Sequence, residues 1–327
     1  MTYRIAATSG VAALAVIGLA AVTACSSSSS STPSAPASTG AASASASASG
    51  GASNPLSGGS GSVVIGSANF PENEVLAEVY ALALQKKGVK VTTKLNIGAR
   101  EVYYPQVEKG AITIIPEYNG TLLTVEVDKT STAKTTADVD AALAAKLPST
   151  LTVLSPAPAE DSDSITVSQA TAAKYKLKSI ADLKSVASQL VLGGPPEFKT
   201  RTDGVIGLKS TYGLTFKSFD PLDESGPITL SALTSGKVQA ADVFTTTPQI
   251  VSDKLVSLTD PKNLFAAQNV IPLVYKPALT STITSTLNAV DAKLTTSALL
   301  ALDVKVIVDK EDYTTAAKDW LQSVGLG

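Results

Sequence analysis

Residues 63–87 read VVIGSANFPENEVLAEVYALALQKK, and this stretch decides the class of fold. The apolar run 63–67 has the length of a buried strand, and residues 72–87 have the length and periodicity of a helix. Pro71 and the acidic residues after it suit a helix N-terminus, whereas two lysines followed by Gly88 suit its end. The apolar face of this helix comprises Val75, Leu76, Val79, Tyr80 and Ala83.

Apolar runs and helical segments continue to alternate along the chain. Strands are predicted over 89–95 and 111–115, the second ended by Pro116, with a helix over 100–109 and another capped by Thr136. Further strands are predicted near Ile165, Leu190, Phe216, Ala240 and Val256, and helices near Ala172, Ile180, Ile206, Leu230 and after residue 275. This alternation predicts an α/β protein with mostly parallel sheets.

Residues 1–61 lack this alternation. Residues 1–24 combine a positively charged start with a short apolar run, which is typical of a secretory signal peptide. The run ends in VTAC at 22–25, which resembles a bacterial lipobox, and Cys25 is the single cysteine of the chain. We therefore predict a lipid anchor at Cys25 and a protein held on the outer face of the bacterial cell membrane. Residues 25–61, almost wholly Ser, Ala, Gly, Thr and Pro, are predicted to form a disordered linker.

The types of residue present favour a binding protein over an enzyme. The 327 residues include no histidine, which excludes histidine-based triads and nearly every common zinc or iron site. The sequence has no phosphate-cradling loop, no nucleophile elbow and no acidic loop of calcium-binding spacing. A formal net charge of −2 with no basic run gives no support for nucleic-acid binding. We expect a protein that is not an enzyme and that uses no cofactor and no metal.

Residues 193–204 read GGPPEFKTRTDG and combine conformational constraint with charge. Two glycines let the backbone turn away from a strand, and two prolines fix φ through the turn. Arg201 follows on a stiffened loop, from which its guanidinium could bind a carboxylate with little further ordering cost. A rigid surface turn with solvated charges explains the same segment.

Four segments occur together in an order and spacing typical of one group of proteins. They are GSANF at 66–70, PEYNGT at 116–121, SPAPAED at 155–161 and the segment 193–204. With them the chain resembles the substrate-binding proteins of ABC importers for osmoprotectants, the glycine betaine, choline and carnitine group. The resemblance implies a two-lobed, type II periplasmic-binding-protein-like fold, each lobe a mainly parallel sheet flanked by helices, with the ligand in the interlobe cleft. The predicted lobes are residues 62–160 plus 267–327, and 161–266.

The resemblance implies roles for four residues. Tyr118 matches a tyrosine of the aromatic cage that holds trimethylammonium, and Asp161 matches an aspartate near that cage. Thr121 and Arg201 match residues that bind the ligand carboxylate. A cation without hydrogen-bond donors is held by π faces, negative charge and dispersion, and each good cation–π contact contributes about 0.5–2 kcal/mol.

Other positions depart from the family pattern. Cage tyrosines are expected where this chain has Asp163, Phe244 and Gln268, and a lysine is expected where it has Ala68. Two of these cage positions have therefore lost their ring, while Phe244 keeps one. We count Asp163, Phe244 and Gln268 as ligand-binding candidates.

Three further residues precede Tyr118 closely enough to refill the cleft, and they are Arg100, Tyr103 and Tyr104. The two tyrosines are equally well explained as ordinary helix packing.

The sequence thus predicts a lipid-anchored receptor that captures a betaine-like zwitterion or a quaternary ammonium solute. Its partners would be this small solute, an ABC permease with its ATPase, and the membrane, through Cys25. Two alternatives stay open at this point. The same fold could bind a more polar or larger solute because the cage is incomplete, or the protein could be a surface sensor or adhesin without transport.

Overall fold

The computed structural model describes residues 62–327. The predicted signal peptide, the linker and Cys25 lie outside the described residues. The strands are β1 (Val63–Gly66), β2 (Val91–Lys94), β3 (Ile114–Tyr118), β4 (Leu151–Val153), β5 (Asp163–Ser168), β6 (Val191–Gly194), β7 (Ser218–Pro221), β8 (Ala240–Phe244), β9 (Leu255–Ser257) and β10 (Val270–Tyr275). The α-helices are α1 (Pro71–Lys86), α2 (Arg100–Glu108), α3 (Asn119–Thr121), α4 (Thr136–Lys146), α5 (Gln169–Tyr175), α6 (Val205–Tyr212), α7 (Pro227–Thr234), α8 (Gln249–Ser252), α9 (Ser281–Asp291), α10 (Thr296–Asp303) and α11 (Tyr313–Ser323).

The strands form two sheets with the same arrangement. The first has the order β2-β1-β3-β10-β4 and the second the order β7-β6-β8-β5-β9. In each sheet one strand, β10 or β5, pairs antiparallel with both neighbours, and the other pairings are parallel. The prediction of two α/β lobes with mainly parallel sheets is confirmed. The reversed strand in each lobe is the one reached after the chain crosses from the other sheet.

Helix α1 is buried over most of its circumference, a wider region than the single apolar face that the sequence predicts. Its buried residues include Glu72, Asn73 and Glu78 in addition to the predicted apolar set. The helix packs against β1 and β3 on one side and against α9 and α11 on the other. The C-terminal helices therefore complete the first lobe by covering α1.

Two predicted boundaries were wrong. Strand β3 continues through Pro116, because Pro116 lies opposite Pro272 at a position where the two strands exchange no hydrogen bond. The carbonyl of Pro116 accepts a hydrogen bond from Asn73 Nδ2 instead (3.0 Å). Helix α4 is capped by Thr135, whose hydroxyl accepts from the backbone N–H of Asp138, and not by Thr136.

Each sheet has its own core. One large cluster surrounds the first sheet and includes Tyr80, Ile114 and Trp320. The second sheet carries one cluster around Leu192 and Phe198 and another around Val238 and other residues of the opposite face. The predicted lobe limits at 160/161 and 266/267 agree with this division of strands but stay a prediction at the level of single residues. No helix in residues 62–327 combines the length and the apolar character needed to cross a membrane.

The segment 193–204 is a tight turn between β6 and α6. After Gly194 the chain forms a single helical turn, Pro196–Lys199, and the backbone N–H of Gly204 donates to the carbonyl of Arg201 (3.1 Å). A Cβ at Gly204 would lie 1.9 Å from the backbone oxygen of Phe198. Only glycine leaves room for the loop to close in this way.

We expect Gly204→Ala to lower the free energy of unfolding by at least about 3 kcal/mol, the upper end of the usual cost of overpacking, because the obstacle is backbone. Gly236→Ala is the matched control, since Gly236 has φ +77° with no atom within 4 Å of its Cβ position. That control should lose only about 1 kcal/mol, the cost of a left-handed conformation. Urea unfolding measures both, and equal losses would contradict the close approach at Gly204.

Candidate functional site

The candidate residues lie around one cavity between the two sheets. All seven predicted ligand-binding residues lie around it, together with three that the matched motifs did not assign. The lining residues are Phe70, Arg100, Tyr118, Thr121, Asp161, Asp163, Arg201, Glu224, Phe244 and Gln268. Tyr103 and Tyr104 are buried in the first core and do not line the cavity. That the lining residues hold a ligand stays a prediction.

Three neighbouring aromatic rings line the cavity. Phe70 follows β1, whereas Tyr118 and Phe244 are the last residues of β3 and β8, so all three stand at carboxyl ends of strands. The Phe70 ring centroid lies 6.0 Å from that of Tyr118 and 5.1 Å from that of Phe244. Phe70 therefore supplies a ring that the family pattern did not predict. Its sequence signal was its place at the end of the GSANF motif, immediately before the first residue of α1.

Buried carboxylates stand behind the rings. The Tyr118 hydroxyl donates to Glu72, and Glu72 also accepts from the hydroxyl of Thr246 (2.6 Å). Asp161 accepts from the backbone N–H of Thr246 (3.1 Å) and from the hydroxyl of Thr245 (3.2 Å). Burial raises the pKa of Glu72 and of Asp161, and their mutual repulsion adds to the rise for Asp161. A cation among the rings would favour the charged form of both acids.

Gln268 supports Thr121 where the family pattern predicted a ring. Its amide oxygen accepts from the backbone N–H of Thr121 (2.9 Å), and its amide nitrogen donates to the Thr121 hydroxyl oxygen. The close packing here also needs Gly120, whose Cβ would lie 2.3 Å from the carbonyl oxygen of Ala267. The hydroxyl proton of Thr121 has no acceptor within residues 62–327, so it can be donated to a ligand.

Two arginines also line the cavity. Arg201 donates from Nε and Nη2 to the carboxylate of Glu101, with both distances 3.1 Å. Arg100 donates in the same way to Glu117, which also accepts from the hydroxyl of Tyr103 (2.7 Å). In the described part of the chain neither arginine has an acceptor at Nη1. Each guanidinium is thus fixed along one edge and can bind an anion with the other.

Asp163 lies among further acids. Burial and the nearby Asp203 raise its pKa to about 6, although Arg201 and Arg100 act in the opposite direction. Asp242 is 1% exposed and its pKa is raised well above the ordinary range, by burial first and then by Asp163. Asp163 therefore replaces a ring with an acid that is only partly ionised near pH 6.

Contacts between the two lobes close the cleft. The pair Arg201–Glu101 and the hydrogen bond from Thr246 to Glu72 each join residues of different lobes. Thr124 adds a third contact by donating to Asp203 (3.0 Å). The space left in the cavity is about 20 Å³, and one water molecule needs roughly 10–15 Å³ on this measure. The lobes must separate before a solute can enter.

The raised carboxyl pKa values predict that the protein is more stable at pH 5 than at pH 8. Glu224 is raised from its ordinary value of 4.5 to about 7, chiefly by burial. Such a group binds more protons in the folded state, so its contribution to stability is full below pH 4.5 and is lost as the pH rises through 7. Calorimetry between pH 5 and 8 should show Tm falling by several degrees. A Tm that rises over this range would contradict the burial of these acids.

Two α/β lobes around a polar cavity define a solute receptor that binds its ligand between sheets, outside the carboxyl ends of the strands. The family model for the substrate binding domain of ABC-type glycine betaine transport systems matches residues 61–323. The chain therefore belongs to this family of ABC-transporter binding proteins. The family consists of extracytoplasmic solute-binding proteins and not of enzymes, which confirms the expectation of binding without chemistry.

Two relatives match this chain over most of its length. The glycine betaine-binding protein YehZ of Escherichia coli (strain K12) is 28% identical over 287 residues, which cover 84% of this chain and 93% of that protein. The ergothioneine transport permease/ergothioneine binding protein EgtU of Helicobacter pylori (strain G27) is 25% identical over 267 residues, 81% of this chain and 48% of that protein.

Solved structures show the same fold. The crystal structure of a glycine betaine/carnitine/choline ABC transporter protein has a TM-score of 0.63 at 22% identity and covers 81% of this chain and 99% of its own. Apo YehZ from Escherichia coli has a TM-score of 0.57 at 25% identity and covers 81% of this chain and 99% of its own.

Proposed function

We propose that this protein captures a small osmoprotectant, a glycine betaine-like zwitterion or a quaternary ammonium ion, and delivers it to an ABC permease with its ATPase. One observation carries the proposal. The same cavity is lined by aromatic rings backed by buried carboxylates and by two guanidinium groups, each with a free edge. The names of the relatives, which include glycine betaine-binding proteins, support the same ligand class.

The lining of the cavity suits both charged groups of a betaine. A trimethylammonium group has no donors, so it is held by the faces of Phe70, Tyr118 and Phe244 and by the charge of the acids behind them. A ligand carboxylate can accept from the free edge of Arg201 and from the hydroxyl of Thr121, both of which line the cavity. The site thus offers a partner for each of the opposite charges of a zwitterion.

Arg201→Ala tests the carboxylate end. We expect the variant to weaken glycine betaine by about 2–4 kcal/mol, the usual cost of leaving a buried charge without its partner. Choline is the matched control ligand, because it has the trimethylammonium group but no carboxylate, and its affinity should change far less. Isothermal calorimetry measures both ligands on both proteins. An equal loss for the two ligands would place Arg201 outside the carboxylate site.

The ligand class itself has a separate test. Titration of the unaltered protein with glycine betaine, choline, carnitine and proline betaine should give heat with at least one of them. The absence of both heat and a thermal shift from all four would overturn the osmoprotectant assignment.

We further propose that Cys25 carries a lipid that anchors the protein to the outer face of the bacterial cell membrane. The support is the sequence VTAC at the end of the apolar run, followed by a polar linker. Expressed with its full N-terminus in a bacterium, the protein should incorporate labelled fatty acid and sediment with membranes. Cys25→Ser should abolish the label, and persistence of the label in this variant would rule out Cys25 as the lipidated residue.

A further inference from the structure

We propose that Glu224 is a ligand-contacting residue that selects quaternary ammonium solutes carrying an O–H or N–H donor over solutes that carry none. The inference rests on the proposed function and adds a specificity residue to it. Glu224 lies in the loop between β7 and α7, outside the segments that match the family pattern. It lines the same cavity as Arg100, Arg201 and Asp163.

The loop is built so that Glu224 has little freedom. Asp223, before it, accepts hydrogen bonds from the backbone N–H groups of Ile228 (3.0 Å) and Thr229 (2.7 Å) at the start of α7. Ser225, after it, shares a hydrogen bond with the hydroxyl of Thr247 (2.8 Å) and accepts from the backbone N–H of Phe244 (3.0 Å). Both neighbours are therefore tied to other elements, which fixes the direction of the residue between them.

The backbone of this loop is also strained. Ser225 has φ 53°, in the left-handed region that residues other than glycine seldom adopt. A conformation of this kind costs about 1–3 kcal/mol and persists where the surroundings determine it, most often at functional sites. Here the strain turns the chain so that Glu224 faces the cavity while Ser225 holds the end of β8.

Glu224 has no hydrogen-bond partner among residues 62–327. Both arginines near it use one guanidinium edge for another glutamate, Arg100 for Glu117 and Arg201 for Glu101. Burial raises the pKa of Glu224 to about 7, despite the opposing effect of Arg201 and Arg100. Glu224 is half-buried and lines the cavity, and when ionised its carboxylate can only accept hydrogen bonds. A ligand in the cavity could bring the hydrogen-bond donor that Glu224 lacks.

This chemistry distinguishes among osmoprotectants. Glycine betaine has no donor at any position, so it leaves Glu224 without a partner. Choline and carnitine each carry a hydroxyl group, and other betaines carry ring N–H groups. A site that is built to hydrogen-bond a substrate donor rejects analogues that lack it, because its own polar group is then left unpaired.

A competing explanation is that Glu224 only balances the charge of Arg100 and Arg201. The two explanations differ for a matched pair of ligands, carnitine and its deoxy analogue, which lacks only the hydroxyl. A contact to the donor predicts that the unaltered protein binds carnitine about tenfold or more tightly than the analogue. It also predicts that Glu224→Ala brings the ratio close to one. Pure charge balance predicts the same change for both ligands.

Calorimetry with both ligands decides between the explanations, and Glu197→Gln is the matched control. Glu197 is a nearby acid that does not line the cavity, so this variant removes a similar charge and should keep the ratio. A ratio near one in the unaltered protein, or a ratio that Glu224→Ala leaves unchanged, overturns the inference. If the protein binds glycine betaine as tightly as carnitine, the inference fails and the proposed function stands. No binding by any of these ligands overturns both.

A second measurement needs no ligand. If Glu224 serves the solute and not the fold, Glu224→Gln should leave Tm at pH 8 unchanged or higher, because a carboxyl with a raised pKa is disfavoured as an anion in the folded state. A loss of several degrees in this variant would show that Glu224 is a structural counter-charge and would overturn the inference.

Discussion

The buried pair between Arg100 and Glu117 is the interaction on which the rest of the site depends. Glu117 is fully buried and accepts hydrogen bonds from Arg100, from the Tyr103 hydroxyl and from the backbone N–H of Tyr118. Removing one partner of such a pair costs about 3–5 kcal/mol, because the other charge is left uncompensated. One carboxylate thereby fixes the positions of the Tyr118 backbone and of the Arg100 guanidinium, two residues that line the cavity.

The two lobes have the same topology and face the cavity in the same way. Each sheet sends the carboxyl ends of its parallel strands toward the cavity, and each contributes an aromatic residue there, Tyr118 from β3 and Phe244 from β8. The cavity lies between two lobes that have separate cores. Few apolar side chains connect these cores. Phe244 is an exception, because it belongs to a strand of the second sheet and packs against the core of the first.

The fold and part of the site could be predicted from the sequence for a physical reason: the information is local. Alternating apolar runs identify strands and helices, and the stiff segment 193–204 places Arg201. The remainder depends on contacts between distant parts of the chain. Gln268 supports Thr121 across 147 residues, and no pattern predicts an amide where a ring is expected. Glu224 was missed because its loop carries no motif and only its anchored neighbours turn it inward. The sequence predicts a strand end at Pro116, because its cross-strand partner, another proline, is visible only once β10 is in place.

The ion pair between Arg201 and Glu101 has a thermodynamic consequence for transport. It joins the lobes through two side chains of the protein, so part of the free energy of closure is supplied by the protein itself. A ligand shifts the balance between open and closed forms only by its differential affinity for them. A stronger pair raises the fraction of empty receptors that are closed. Empty and loaded receptors then differ less in shape on average. A permease that recognised closure alone would meet closed, empty receptors as competitors, and the combined strength of the contacts between the lobes would set how often.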